Sequence, residues 1–424
     1  MKVSKKRKNR WYKLENAAKI FPPTSNKHDP KVFRFFVEMN DNIDKTFLQQ
    51  ALEKTIEEFP HFNSTLKRGF FWYYLETIDK VIEVCEENDL PCDIFENKFL
   101  YRVSYYKKRI NVEVNHALTD GTGTLNFLKV LVCNYEELRY KTSADIYVDN
   151  ASVEEREIDS YKKYYKKEKS KDKVIGIKGY QVKGKMYPEE RLKIIELIMP
   201  TKDVLKLSKD NNSTITQYLT AIMIKSIADT MSYKDKKKPI IITIPVNLRK
   251  YFPSNTARNF FNVVPIIYYV NDDNNNIEEI LKSVKKQFEE GLKKEKIIKR
   301  MNQLQQFENM FILRLVPLVI KNIVLKYLYK KSRLNRTITL SNIGVIDMPY
   351  DLQKHINLFG VMSSTDNVQS CMCSYKDNLV FTFTSHFVEQ EIQKNFVRYL
   401  SNNGISITVN TNIIEEDELD EKMF

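Results

Sequence analysis

Asn115-His116-Ala117-Leu118-Thr119-Asp120-Gly121 sets an imidazole four residues ahead of a carboxylate and a glycine. Histidine is the side chain best suited to taking a proton near neutral pH. With five histidines and ten glycines in the whole chain, the cluster carries weight. The chemistry it suits is proton abstraction from a hydroxyl or amine. Asp120 cannot meet the same imidazole face, because a tight turn precedes Gly121 and Gly123. We read it as a structural group that fixes the turn or forms an ion pair with Arg34, Arg249 or Arg258. Arg249 is equally open to a donor phosphate. Gly121 and Gly123 let the chain pass close to its neighbours.

The elements around the cluster are legible. Arg109 to Asn115 alternates apolar and polar residues, as a half-buried strand does. Thr124 to Val132 carries apolar residues at helical spacing. His116 therefore stands where a strand hands over to a helix. His386 closes another strand and reads as a polar contact; His61 reads as a turn residue, and His28 and His355 as loop residues.

The His116-x-x-x-Asp120-Gly121 pattern resembles the signature of the acyltransferase superfamily related to chloramphenicol acetyltransferase, which includes condensation domains, plant BAHD enzymes and alcohol acetyltransferases. Ala51 to Phe62 is similar to the early helix and Phe-Pro turn of these proteins. Pro245 to Arg249, Asn259 to Asn262 and Ser341 to Gly344 are similar to later strand-and-loop segments. In detail the chain most resembles bacterial alcohol acetyltransferase-like proteins. Two departures narrow the likeness. Asn115 replaces the second histidine usual in condensation domains, and no Asp-Phe-Gly-Trp-Gly run of the BAHD type occurs.

The resemblance implies an α/β fold of two chloramphenicol acetyltransferase-like subdomains, each a mixed β-sheet flanked by helices, with the active site in a tunnel between them. It implies His116 as general base, with Asp120 and Gly121 completing the motif, and acyl-CoA as co-substrate rather than a permanently bound cofactor. The acceptor would be a small alcohol or amine. Ser341, Asn342 and Thr339 are the candidates to stabilise an oxyanion. A carrier-protein-bound donor, or a non-catalytic binding role on the same fold, are the alternatives.

Composition bounds the rest. A chain of 424 residues suits two domains. We divide it into residues 1–150, a Lys/Glu-rich and then glycine-containing linker at 151–190, and residues 191–424. The net charge of +13 comes from scattered lysines with no nucleic-acid motif beside them. Five cysteines show no disulfide or zinc spacing and suggest reduced thiols in a cytoplasm; a monomer is expected. Met1 to Trp11 is basic without an apolar core, and reads as a solvated leader. Met310 to Tyr329 is strongly apolar, but Arg314, Pro317, Lys321 and Lys326 interrupt it. It reads as a helix buried on one side that lines a substrate channel, with peripheral membrane contact the weaker reading.

Along the chain, strands are expected at Phe33–Glu38, Trp72–Glu76, Leu100–Tyr106, Leu192–Met199, Ile240–Val246, Val263–Val270, Thr337–Ser341, Ile356–Met362, Met372–Tyr375, Leu379–Thr384 and Ile405–Val409. Helices are expected at Ile43–Glu58, from Gly123 to Tyr140, from a Thr214 capping box to Met231, and as one long charged run over Ile277–Phe307. Asp377-Asn378 reads as a hairpin turn, and Glu415 to Glu421 as a loose acidic tail.

Overall fold

Ile110, Val112 and Val114 are fully buried, and their strand, Arg109–Asn115, lies in the middle of a five-stranded sheet. The sheet order is Ile356–Ser363, Val32–Met39, Arg109–Asn115, Tyr101–Tyr106 and Cys85–Glu86. A computed structural model describes residues 10–88, 90–95, 98–141, 151–167, 176–187, 191–271, 275–309 and 315–412. The leader before Arg10, the acidic tail and Arg314 lie outside the described residues.

A second sheet has seven strands, in the order Phe261–Tyr268, Ile240–Asn247, Ile338–Val345, Val368–Tyr375, Asn378–Ser385, Lys193–Pro200 and Thr408–Thr411. Ile338–Val345 runs parallel to both of its neighbours, while the remaining pairs are antiparallel. The sheets are therefore mixed in the larger lobe, and helices flank both. Gly121–Tyr140 packs against Lys45–Glu58 beside the smaller sheet. Ile215–Ala228, begun by a full Thr214–Gln217 capping box, packs against Ile277–Gly291 and Glu391–Asn402 beside the larger one. Two apolar cores follow the two sheets. The chain has the expected α/β fold of two sheet-and-helix lobes.

Several expectations need correction. A boundary at residue 191 does not separate two self-contained sheets. The strand Ile356–Ser363, expected in the second lobe, pairs along Val32–Met39 and so completes the first. The segment 151–190 is more than a spacer, because Tyr161 and Tyr180 are buried in the second core. The charged run from Ile277 is two helices, Ile277–Gly291 and Lys294–Asn309. They part next to Gly291, where a Cβ would lie 2.4 Å from Val264 Cγ1, so the helix end sits directly on the sheet. The hairpin turn is Lys376-Asp377, since Tyr375 pairs with Asn378; Lys376 adopts φ 52°. The last strand is only Thr408–Thr411. The helix near residue 320 spans Leu318–Arg333 and buries Leu318 and Lys321, not its apolar stripe.

Candidate active site between the two lobes

The strand Arg109–Asn115 and the helix Gly121–Tyr140 are joined by a five-residue turn that holds the candidate base. The His116 N–H donates to Lys31 O at 2.8 Å, and the Asn115 amide donates to Pro30 O at 3.0 Å. The turn is thereby stitched to the chain entering Val32–Met39. Lys31 adopts φ 62°, a left-handed conformation that a lysine holds only where its surroundings impose it.

Asp120 is the hub of the turn. Its side chain caps the helix by accepting from the Gly123 N–H at 2.9 Å. It also takes a two-pronged ion pair from Arg249, at 2.8 and 3.2 Å, and accepts the Phe260 N–H at 2.8 Å. Arg249 spends its remaining donors on the carbonyls of Thr256 and Arg258 and on Asn247 Oδ1. One buried carboxylate thus ties the first lobe to the loop 248–260 of the second, and a planar guanidinium suits that geometry.

The other two arginines proposed for Asp120 are taken. Arg34 faces its cross-strand neighbour Glu113 and pairs with it at 3.0 Å, with Glu87 as its second partner. Arg258 pairs with the buried Glu15. Gly123 has no alternative residue: a Cβ there would lie 2.1 Å from both Ala257 O and Thr119 Oγ1. At Gly121 a Cβ would approach Ile343 Cδ1 to 3.1 Å across the interface.

His116 borders a cavity of about 420 Å³ between the lobes. Phe33, Phe35, Val361 and Met362 line it from the five-stranded sheet, and Thr243, Val246, Thr339 and Ser341 from the seven-stranded one. The half-buried imidazole is sandwiched by Phe21, stacked at 4.8 Å, and Phe33 at 4.3 Å. Burial among these rings brings its pKa down to about 4, against the upward pull of the Asp120 and Asp29 carboxylates. At neutral pH the ring is therefore uncharged, which is the form that accepts a proton. Its Nδ1 is buried without a hydrogen-bond partner among the described residues, and the Thr119 backbone adds a small upward pull on the ring's proton affinity.

The three oxyanion candidates all line the cavity, but they differ in availability. The pleat of Ile338–Val345 puts Thr339 and Ser341 on the cavity face. The Asn342 amide is already engaged, donating to Thr216 Oγ1 at 2.7 Å and accepting from the Gly344 N–H at 2.8 Å. The Ser341 hydroxyl has no protein partner among the described residues.

The structure adds a polar wall that sequence reasoning missed. Lys31 is paired with Asp29 and donates to Tyr329 Oη at 2.6 Å. Ser364 donates to Asp29 at 2.9 Å, and Arg336 to Tyr329 Oη at 3.1 Å. All five residues line the cavity with His116. They are scattered over more than 300 positions, so only the tertiary fold brings them together; the one local signal is the charged Asp29-Pro30-Lys31 entry to a strand.

Two further histidines are engaged elsewhere. His386 has a backbone carbonyl at each ring nitrogen, Arg191 O at 3.1 Å and His28 O at 2.8 Å. His355 pairs with Glu136 at 2.5 Å. Cys371 and Cys373 are buried and free. Among the described residues no group of His, Cys, Asp and Glu is placed to hold a metal ion.

Comparison with known proteins agrees with this architecture. Residues 199–357 match the family model of the phthiocerol/phthiodiolone dimycocerosyl transferase C-terminus. No curated protein matches the sequence. The fold is similar to that of polyketide synthase associated protein 5 from Mycobacterium tuberculosis, with TM-score 0.60, 13% identity, and 92% of this chain and 96% of that one covered. It is also similar to F. sporotrichioides TRI101, solved with coenzyme A and T-2, with TM-score 0.61, 9% identity, and 94% and 99% covered. The first condensation domain of the calcium-dependent antibiotic synthetase gives TM-score 0.58 at 12% identity, with 94% and 99% covered. Over nearly its whole length the chain shares the fold of these solved structures.

Proposed function

We propose that this protein transfers an acyl group from a CoA thioester to a hydroxyl or amine acceptor, with His116 as general base. The observation that carries the reading is the uncharged imidazole at the wall of an inter-lobe cavity, beside an Asp120 occupied by Arg249. His116 takes the acceptor proton as the acceptor oxygen or nitrogen attacks the thioester carbonyl. The tetrahedral intermediate collapses with loss of the thiolate, which recovers a proton from the imidazolium. No covalent acyl-enzyme is needed, because a thioester is already activated.

Ser341 is the favoured donor to the oxyanion, since its hydroxyl is free and Asn342 is not. Thr339 is the second choice. Asp120 and Arg249 act as positioning residues that fix the turn, and Gly121 leaves the space beside it. A reducing, cytoplasmic setting fits the buried free thiols of Cys92, Cys133, Cys371 and Cys373.

Thiol release from acetyl-CoA over a panel of alcohols and amines tests the proposal. Release that falls roughly 10²- to 10⁴-fold in His116→Ala supports it. Turnover only with a donor loaded on a carrier protein would replace the CoA part of the reading and keep the base. No His116-dependent turnover with either donor would leave a binding role.

A further inference from the structure

The helix Leu318–Arg333 is assembled inside out. Its inward residues are polar: Lys321 donates to Phe71 O at 3.0 Å and lies 3.9 Å over the Trp72 ring, and Asn322 donates to Tyr73 Oη at 2.9 Å. Tyr329, on the same side, receives Lys31 and Arg336. Val319, Ile320, Ile323, Val324, Tyr327 and Leu328 face outward, with Ile323 65% and Tyr327 67% exposed. At the head of the helix the Leu318 N–H donates to Phe70 O, which sets the exposed Phe70 and Phe71 next to the helix. A contiguous apolar surface of this kind marks an interaction site.

The charge around that face selects the partner. From Asn309 to Ile346 the sequence holds no acidic residue, while Lys326, Lys330 and Lys331 crowd the last two turns of the helix; Arg333 beside them is paired with Asp366 at 3.1 Å. A helix with an exposed aliphatic face edged by lysines lies on a membrane surface instead of crossing it. Clustered cations beside such a face add attraction to anionic headgroups. Among the described residues no helix is long and apolar enough to span a bilayer, which agrees with this mode.

We propose that the outer face of Leu318–Arg333, with Phe70 and Phe71, docks this protein on an anionic lipid surface. Docking there sets the catalytic cavity close to the lipid. Tyr329 reaches the cavity wall from the inner side of the same helix, and the short helix Phe21–Thr24, which carries the ring stacked on His116, packs against it. The proposal does not depend on the acyl-transfer reading, because its readout is binding.

The test is co-sedimentation of the full chain with phosphatidylcholine vesicles, with and without phosphatidylserine. The expected result is binding to the anionic vesicles that weakens with added salt. Ile323→Glu with Tyr327→Glu should lower partitioning at least about tenfold, and Lys330→Glu with Lys331→Glu should abolish the preference for phosphatidylserine. Both pairs are exposed, so thermal unfolding should be unchanged and thiol release from acetyl-CoA retained. Absence of vesicle binding, equal binding to both vesicle types, or wild-type binding by both variant pairs would each overturn the proposal. So would a wild-type dimer that Ile323→Glu converts to monomer, since the face would then be covered by a second copy.

Discussion

His116 and His61 look alike in their aromatic surroundings and differ in access and anchoring. Each sits in a short turn among phenylalanine rings, Phe21 and Phe33 for the first, Phe59 and Phe62 for the second. Burial depresses both, to about 4 and about 3, with Arg258 lowering His61 further. His116 lines the inter-lobe cavity, whereas His61 is fully buried and does not. A depressed proton affinity therefore reports burial. Reaction chemistry needs access as well, together with neighbours that hold the ring in place.

The turns also differ in what anchors them. Around His116 the anchor is the Asp120–Arg249 pair, and removing half of it should have the largest effect. Asp120→Asn leaves a buried guanidinium short of its counter-charge and should cost about 3–5 kcal/mol in a denaturant titration, with turnover falling in parallel. Unchanged stability would mean that the lobes are not held together there. Gly123→Ala should cost about 1–3 kcal/mol although alanine favours helices, because Ala257 O and Thr119 Oγ1 leave no room for a Cβ. A stabilised variant would contradict the close packing of this turn.

The pH dependence sharpens the contrast. Both rings bind protons less readily in the folded state than their ordinary value of 6.5. Below that value the unfolded chain takes up protons that the folded one refuses. This contribution to stability is complete above pH 6.5 and is lost as pH falls toward the folded values. Denaturation midpoints measured from neutral pH downward should show the loss, and His61→Leu should lessen it while leaving turnover unchanged. The acid limb of kcat/KM should follow His116 alone and lie near pH 4 instead of near 6.5. A limb that moved in His61→Leu would erase the distinction between the two rings.

Much of the site's local geometry was legible in the sequence, because it is short-range. Alternation in Arg109–Asn115, helical spacing after Gly123 and the run His116 to Gly121 specify the strand, turn and helix without help from elsewhere. The partner of Asp120 could be narrowed to three arginines and no further. Choosing Arg249 requires knowing that strand register hands Arg34 to Glu113. The strand Ile356–Ser363 reads as a strand by composition, but periodicity cannot say which sheet receives it. The polar wall of Asp29, Lys31, Tyr329 and Arg336 joins segments about 300 residues apart in the chain, which no local pattern relates. For Leu318–Arg333 the apolar residues are plain in the sequence, but hydrophobicity alone does not say which side of the helix is buried; Lys321, Asn322 and Tyr329 find hydrogen bonds inside, and those bonds set the orientation of the helix.

One measurement bears most directly on the central claim. Thiol release from acetyl-CoA should be followed for wild type, His116→Ala and His61→Leu, with each variant's fold checked by thermal unfolding. The account predicts a loss of roughly 10²- to 10⁴-fold for His116→Ala and wild-type turnover for His61→Leu. A well-folded His116→Ala protein that releases thiol as fast as wild type would contradict it.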